Sequence, residues 1–329
     1  NLAWLFKSAG LKVSESRVEE GLRLLGLPKP KPGPMVAGDV APTVLREGEE
    51  TTLTFTFVNR GAGEAKNVSA RIEAPGFMVV SGIDFSPDVL PGGSGKVVFV
   101  LRPLEGGRKT IRVTVTYSDV LGNVYTDVLE INLLVLVRLR VEAKSVGGEP
   151  LEIPISIDGK EYVAFEEWID PTAPVSLRAP EVVEREGTRY VFESWSDGLS
   201  TPSREIVLTR SSTVAAVYRV EYYVSVTSPY GETLGSGWYK EGSRATVSVR
   251  PTAVGFGIKQ IFDRWEDEEG NFVSNSPTLT IVVDRPIELR AVWRTDYTEL
   301  VLLVMIAGVG VALAIFAKKL SRRPPRLRK

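Results

Sequence analysis

The side chains that most often perform chemistry are scarce in this sequence of 329 residues. It contains no Cys and no His, which excludes thiol nucleophiles, disulfide bonds, imidazole acid–base catalysis and zinc sites built on these residues. It also lacks a Gly-x-Ser-x-Gly elbow and a phosphate-binding glycine loop. We therefore predict no catalytic residue, no cofactor and no metal site, and we expect that the chain is not an enzyme.

The densest acidic stretch is Glu266-Asp267-Glu268-Glu269-Gly270-Asn271, which offers the oxygen ligands that Ca²⁺ prefers. Its acids follow one another instead of alternating as they do in a calcium-binding loop. Consecutive like charges are typical of a solvated turn, so the sequence favours a turn over a calcium site.

Aromatic side chains are the main candidates for binding. Trp168 and Trp238 lie next to predicted turns, and we predict that they make exposed contacts, for example by stacking against sugars. Trp195 and Trp265 take equivalent positions in a repeated pattern, as core residues do. We therefore predict that these two are buried.

One modification signal is present. Asn67-Val68-Ser69 is an acceptor pattern for N-glycosylation, and it lies at a predicted edge between a turn and a strand. In an exported chain, Asn67 is therefore a possible glycosylation site.

The C-terminal part has the pattern of a membrane anchor. Residues 300–317 are an unbroken run of apolar residues and glycine, and residues 318–329 carry seven Lys or Arg and no acid. As a helix, the run is about 27 Å long, close to the hydrocarbon thickness of a bilayer. We predict a transmembrane helix over residues 299–317 in the cell membrane, with a cytoplasmic basic tail and extracellular N-terminal domains.

Small residues within this run are spaced for close helix packing. Gly308 and Ala312 are four residues apart, and so are Gly310 and Ala314. Such pairs let two helix backbones approach closely in a membrane, so these four residues are the predicted packing sites.

The charge distribution argues against nucleic acid as a partner. The formal net charge of the chain is −1, although its tail is strongly basic, so the rest of the chain is acidic. A nucleic-acid-binding protein needs a basic face.

The N-terminal segment is predicted to be helical. Residues 1–27 read as a helical hairpin, in which residues 2–9 form the first helix and a capping-box pattern at Ser16 and Glu19 begins the second. The Pro-rich residues 28–37 then form a stiff linker.

Residues 38–137 alternate apolar and polar side chains with period two, for example over residues 52–57, and turns rich in Gly and Pro separate these runs. This pattern predicts an antiparallel β-sandwich of about 100 residues. Four short motifs stand out in this segment: Gly48-Glu49-Glu50, Asn59-Arg60-Gly61, Ala65-Lys66-Asn67-Val68 and Leu90-Pro91-Gly92-Gly93. Through these motifs the segment resembles CARDB-like and related immunoglobulin-like modules of surface proteins, and the resemblance implies a spacer or adhesive unit.

Residues 138–295 contain an internal repeat, because Phe192-Glu193-Ser194-Trp195 returns seventy residues later as Phe262-Asp263-Arg264-Trp265. Ala216-Val217-Tyr218-Arg219 likewise returns as Ala291-Val292-Trp293-Arg294. Two further anchors keep the same order: Val175-Ser176-Leu177-Arg178 returns as Val247-Ser248-Val249-Arg250, and Trp168 returns as Trp238. The four anchors together predict two β domains of about 75 residues each.

Residues 150–295 resemble two divergent internalin-type B-repeats of surface proteins, through Phe-x-x-Trp and through Trp195-Ser196-Asp197-Gly198. The second copy departs from that pattern after Trp265. The resemblance implies a β-grasp-like or small sandwich unit of stalks and adhesins, with no catalytic residues.

The expected fold class is therefore mainly β, with tandem small β domains, a short N-terminal helical hairpin and one transmembrane helix. The predicted domains are residues 1–27, 28–37, 38–137, 138–219 and 220–295, then the helix at 299–317 and the tail at 318–329.

We expect a membrane-anchored surface protein for structure, adhesion or scaffolding, which presents its N-terminal part away from the membrane. Its expected partners are the membrane and proteins or cell-envelope polysaccharides. Two alternatives stay open: an accessory single-span subunit of a transporter or secretion complex, and the non-catalytic anchored end of a larger exported hydrolase.

Overall fold

The computed structural model describes residues 15–26, 31–120 and 122–321, and it confirms that the chain is mainly β. Two helices occur among these residues, α1 (Glu15–Leu24) and the apolar α2 (Thr298–Ser321). The helix predicted at residues 2–9, part of the predicted Pro-rich linker and most of the basic tail lie outside the described residues.

The contacts divide the chain into two compact units. Unit 1 comprises Asn1–Glu142, Pro154–Ala179 and Ser203–Ala215, and unit 2 comprises Ala143–Ile153, Pro180–Pro202 and Ala216–Lys329. Each unit is described by itself below.

The largest part of unit 1 is a β-sandwich. Its first sheet has the strand order β1-β3-β7-β5, and in its second sheet β4 pairs with β6 and β8, and β9 pairs with β8 and β2. The strands are β1 (Met35–Ala41), β2 (Val44–Arg46), β3 (Thr51–Asn59), β4 (Lys66–Glu73), β5 (Phe77–Ile83), β6 (Phe85–Ser86), β7 (Ser94–Pro103), β8 (Gly107–Ser118) and β9 (Val124–Ser145).

Period-two alternation explains the core of this sandwich. In β3 every second side chain is buried, including Leu53, Phe55 and Phe57. These residues share one hydrophobic core with Val113 and Ile131 of the second sheet. The inner faces of both sheets therefore exclude water together, as expected for a sandwich.

The next strands are short and are divided between the units. A sheet of order β12-β11-β14-β17 belongs to unit 1, as does β13, which pairs with β9, whereas the β15–β16 hairpin belongs to unit 2. The strands are β10 (Pro150–Leu151), β11 (Ile155–Ile157), β12 (Lys160–Tyr162), β13 (Phe165–Ile169), β14 (Val175–Arg178), β15 (Val182–Arg185), β16 (Thr188–Trp195) and β17 (Ser203–Ile206).

The remaining strands precede α2. Within unit 2, β18 pairs with β16, β20 and β26, while β19, β21 and β25 form a separate three-stranded sheet. The strands are β18 (Ser212–Thr227), β19 (Glu232–Leu234), β20 (Gly237–Lys240), β21 (Ser243–Arg250), β22 (Ala253–Val254), β23 (Lys259–Glu266), β24 (Phe272–Ser274), β25 (Thr278–Val283) and β26 (Ile287–Asp296).

The two Phe-x-x-Trp segments have the same pairing geometry. Trp195 lies opposite Ala216 and Trp265 lies opposite Ala291, and in both strand pairs the register shifts at the residue after Phe. Both Trp side chains are fully buried, which confirms their predicted place in the core. Such a register shift is typical of a β-bulge, in which one strand has an extra residue. The extra residue turns Phe and Trp toward the same face, although they are three residues apart in a strand.

The predicted domain boundaries stay predictions, but the strands show where they fall. The boundary after residue 137 lies inside β9, and the boundary between residues 219 and 220 lies inside β18. These two strands are long, with 22 and 16 residues. Their backbones continue as regular extended structure through the predicted boundaries.

Candidate functional site

The apolar helix α2 is the first candidate for a functional element in the described part of the chain. Within it, Thr298–Lys319 is long and apolar enough to cross a membrane, and none of that window is buried against the protein. A water-soluble protein would normally cover such a surface, because exposed apolar area is costly in water. The predicted transmembrane segment at residues 299–317 lies inside this helix.

Local contacts fix where the helix begins. The Asp296 carboxylate accepts a hydrogen bond of 2.8 Å from the Thr298 amide, as an N-capping residue does. Hydrogen bonds from Thr298 lower the pKa of Asp296, so this cap is charged at neutral pH. The Leu300 amide donates to the Gly257 carbonyl at 2.9 Å, which ties the first turn to the loop between β22 and β23.

The predicted packing residues lie along α2. A Cβ atom added at Gly308 or Gly310 would have open space around it, with no neighbouring heavy atom within 4 Å. Ala312 and Ala314 are exposed one turn further on. The structure thus brings these four residues onto free helix surface, and their role in packing stays a prediction.

Trp168 lies in an open depression of unit 1, with a volume of about 430 Å³. The register of β13 and β9 places Trp168 opposite Arg138, whose guanidinium lies 5.2 Å from the centre of the ring. The Arg46 guanidinium lies 5.4 Å from the same centre. The half-buried ring is therefore engaged in cation–π contacts, which leave it less free for a ligand than its position in the sequence suggested.

The walls of this depression are polar. Arg138 pairs with Glu166 at 2.9 Å, and the Glu47 carboxylate accepts a hydrogen bond from the Ser211 amide. The lining residues are Glu47, Arg138, Arg140, Glu166, Trp168, Ser211, Ser212 and Thr213. Mixed charges and hydroxyl groups around one aromatic ring can bind a polar ligand.

Trp238 has a related environment in unit 2. Its half-buried ring contacts Tyr223, with ring centres 5.2 Å apart, and the Arg189 guanidinium lies 4.7 Å from the ring centre. Arg189 also pairs with the buried carboxylate of Glu221, which accepts a second hydrogen bond of 2.9 Å from Arg219. Both predicted Trp contacts are thus covered in part by arginine.

Glu221 is held in its charged form. Burial by itself would raise the pKa of Glu221, but the hydrogen bonds from Arg189 and Arg219 outweigh burial and lower that pKa. The carboxylate therefore links two guanidinium groups on neighbouring strands. This cluster could not be predicted from the sequence, because Arg and Glu at alternate strand positions are also typical of an ordinary solvated face.

Asn67 is exposed, and its backbone φ is 50° at an irregularity of the β4–β8 pairing. Its side-chain amide donates a hydrogen bond of 3.2 Å to the Ser118 hydroxyl. Asn67 is thus accessible near the start of β4, and its glycosylation stays a prediction.

The acidic stretch at residues 266–271 forms a turn. The Asp267 carboxylate accepts hydrogen bonds of 2.7 Å from the Asn271 amide and 3.1 Å from its side chain. These hydrogen bonds lower the pKa of Asp267. Its oxygen atoms thus organise the turn itself, and among the described residues no group of three acids converges on a metal position.

No protein-family model matches the chain, and no curated protein matches it. Among solved structures, it is similar to BcpA, the major pilin subunit of Bacillus cereus, at 9% identity and a TM-score of 0.22, over 57% of this chain and 70% of that chain. It is also similar to the Bacillus anthracis TIE protein, at 11% identity and a TM-score of 0.24, over 85% of this chain and 63% of that chain.

A third similar structure is a Ca²⁺-stabilized adhesin that helps an Antarctic bacterium bind ice, at 11% identity and a TM-score of 0.22. That match covers 78% of this chain and 64% of the adhesin chain. All three TM-scores lie below 0.5.

Proposed function

We propose that this chain is a single-pass, membrane-anchored surface protein whose β region is a non-catalytic structural or adhesive module. The observation that carries the proposal is α2, an unburied apolar helix that follows all the described strands. Basic residues continue after the helix in the sequence, and they favour a cytoplasmic location for that end. The β region would then be presented on the outer face.

The resemblances stated for the β region belong to this proposal. An immunoglobulin-like module agrees with two sheets around one core in unit 1. A pair of B-repeat-like units agrees with the equal pairing and equal bulges around Trp195 and Trp265. Modules of both kinds serve as spacers or adhesive units, so partners among envelope proteins or polysaccharides fit the proposed role.

Alkaline extraction tests the anchoring. We expect the full chain to stay in the membrane pellet after carbonate treatment. Removing the 22-residue segment Thr298–Lys319 from lipid would expose its apolar surface to water. A matched variant with Leu303→Lys and Val311→Lys should move to the supernatant. Release of the unmodified chain by carbonate would contradict the proposal.

A second candidate function is an accessory subunit of a membrane complex. It is favoured by the open surface around Gly308 and Gly310, where a partner helix could approach closely. Affinity purification from gently solubilised native membranes distinguishes the candidates. A stoichiometric integral-membrane partner would favour the accessory subunit, and its absence would favour the independent surface module.

A further inference from the structure

The hairpin of β22 and β23 ends in an apolar tip, which we define as residues 255–258. Its strands pair at Val254 and Gln260, and Phe256 lies at the turn with 83% of its surface exposed. Among the large hydrophobic side chains that the structure describes, none is more exposed. Ile258, two residues later in the tip, is also exposed.

The backbone of the tip is built to hold this projection. Gly255 and Gly257 both have positive φ, of 109° and 73°. A Cβ atom at Gly255 would lie 2.5 Å from the Ile258 carbonyl oxygen, so only glycine fits there. The exposed position of Phe256 is thus fixed by a defined turn.

The tip is attached to the first turn of α2. The Gly257 carbonyl accepts from the Leu300 amide at 2.9 Å, and the Gly257 amide donates to the Glu299 carboxylate at 3.2 Å. Lys259 pairs with the same carboxylate at 3.0 Å. Because Leu300 begins the apolar run, these bonds hold Phe256 at the level where the helix becomes apolar.

The corresponding hairpin of β15 and β16 provides an internal comparison. It has the tip Glu186-Gly187, also with positive φ at both residues, and the Gly187 carbonyl accepts from the Tyr223 amide at 2.9 Å. In each tip, a glycine carbonyl therefore accepts a hydrogen bond from the backbone of a later element, which is β18 for Gly187 and α2 for Gly257. The tip that docks on a strand carries a charge, and the tip that docks on the apolar helix carries Phe and Ile.

We propose that the tip at residues 255–258 is a second membrane contact, in which Phe256 and Ile258 enter the interface of the leaflet where α2 begins. Apolar side chains gain free energy in this region, about 5–10 Å into the boundary between headgroups and acyl chains. Tyr297 is exposed beside the start of the helix, where aromatic residues favour the membrane interface. This contact would restrict how the β strands of unit 2 tilt against the membrane, and it rests on the proposed anchoring by α2.

Single-cysteine labelling tests the contact, because the chain contains no Cys of its own. The full-length variants are Phe256→Cys in the tip, Glu186→Cys in the charged tip as its matched control, and Val304→Cys in α2. Each is labelled with an environment-sensitive nitrobenzoxadiazole dye and reconstituted in phosphatidylcholine vesicles that contain doxyl-labelled lipid.

We expect lipid quenching and a blue-shifted emission at positions 256 and 304, and neither effect at position 186. Quenching at 304 with a water-like signal at 256, equal to that at 186, would overturn the interfacial contact and leave the anchor intact. A water-like signal at 304 would overturn the anchoring and, with it, the contact.

Discussion

At the residue scale, Asn59 shows how one buried amide organises the edge of the sandwich. Its side-chain oxygen accepts hydrogen bonds from the backbone amides of Gly33 and Gly61, at 2.9 and 3.0 Å. Its side-chain nitrogen donates to the carbonyls of Gly63 and Val89, at 2.8 and 3.0 Å. The side chain is fully buried, so its hydrogen-bonding capacity is used where water cannot replace the partners.

Asn59→Ala should therefore lower the free energy of unfolding by about 2–4 kcal/mol, because it removes four hydrogen bonds made by a buried side chain. The measurement is urea unfolding of the full chain in mild detergent, combined with hydrogen exchange at Gly33 and Gly61. Asn132→Ala is the matched control, since Asn132 is exposed and should change little. Equal stability of the two variants would contradict the assigned role of Asn59.

The ion cluster around Glu221 gives a second residue-scale prediction. Glu221→Gln should cost about 1–2 kcal/mol at neutral pH, since the carboxylate is buried while both guanidinium groups are partly exposed. Glu142→Gln is the matched control, because Glu142 also pairs with the Arg two residues before it but lies nearer the surface. We expect almost no change for that variant.

The pH dependence of this difference has a defined sign. The folded-state pKa of Glu221 lies below its ordinary value of 4.5, so its contribution is complete above that value and is lost as pH falls through the folded pKa. The stability gap between the original chain and Glu221→Gln should shrink in acid. A gap that grows as pH falls would contradict the structure of this cluster.

At the element scale, the small residues of α2 lie on two faces. Gly308 and Gly310 are two residues apart, which is about 200° around a helix. A twofold contact between two helices can therefore use the pair Gly308 and Ala312 or the pair Gly310 and Ala314, but not both.

We expect that either Gly308→Ile or Gly310→Ile weakens helix association, because the larger side chain prevents close approach of the backbones, while the other variant does not. Energy transfer between labelled chains in bilayers, or the yield of a co-purified partner, measures this effect. Val309→Ile is the control because residue 309 lies between the two faces. If all three variants associate equally, the small residues have no packing role.

The element scale also shows what the sequence can and cannot predict. Period-two alternation located β3, because a half-buried strand places every second side chain in the core. It did not reveal that β9 and β18 run through the predicted domain boundaries, since a strand that changes its neighbours keeps the same alternation. The burial of Trp195 and Trp265 was predictable from their repetition. The arginine contacts of Trp168 and Trp238 were not, because they depend on which strands lie side by side in the fold.

At the scale of the whole molecule, every described strand precedes one apolar helix. The polar depression around Trp168 and the cluster around Glu221 lie in this β region. The proposed surface role requires that the β region lies on the outer side of the membrane.

The most direct test is cysteine accessibility in intact cells of the source organism, with Val207→Cys in the exposed β region and Arg328→Cys in the basic tail. A membrane-impermeant maleimide should label position 207 in intact cells and position 328 only after permeabilisation. Labelling of 328 but not 207 in intact cells, or of neither before permeabilisation, would contradict an outward-facing, membrane-anchored β protein.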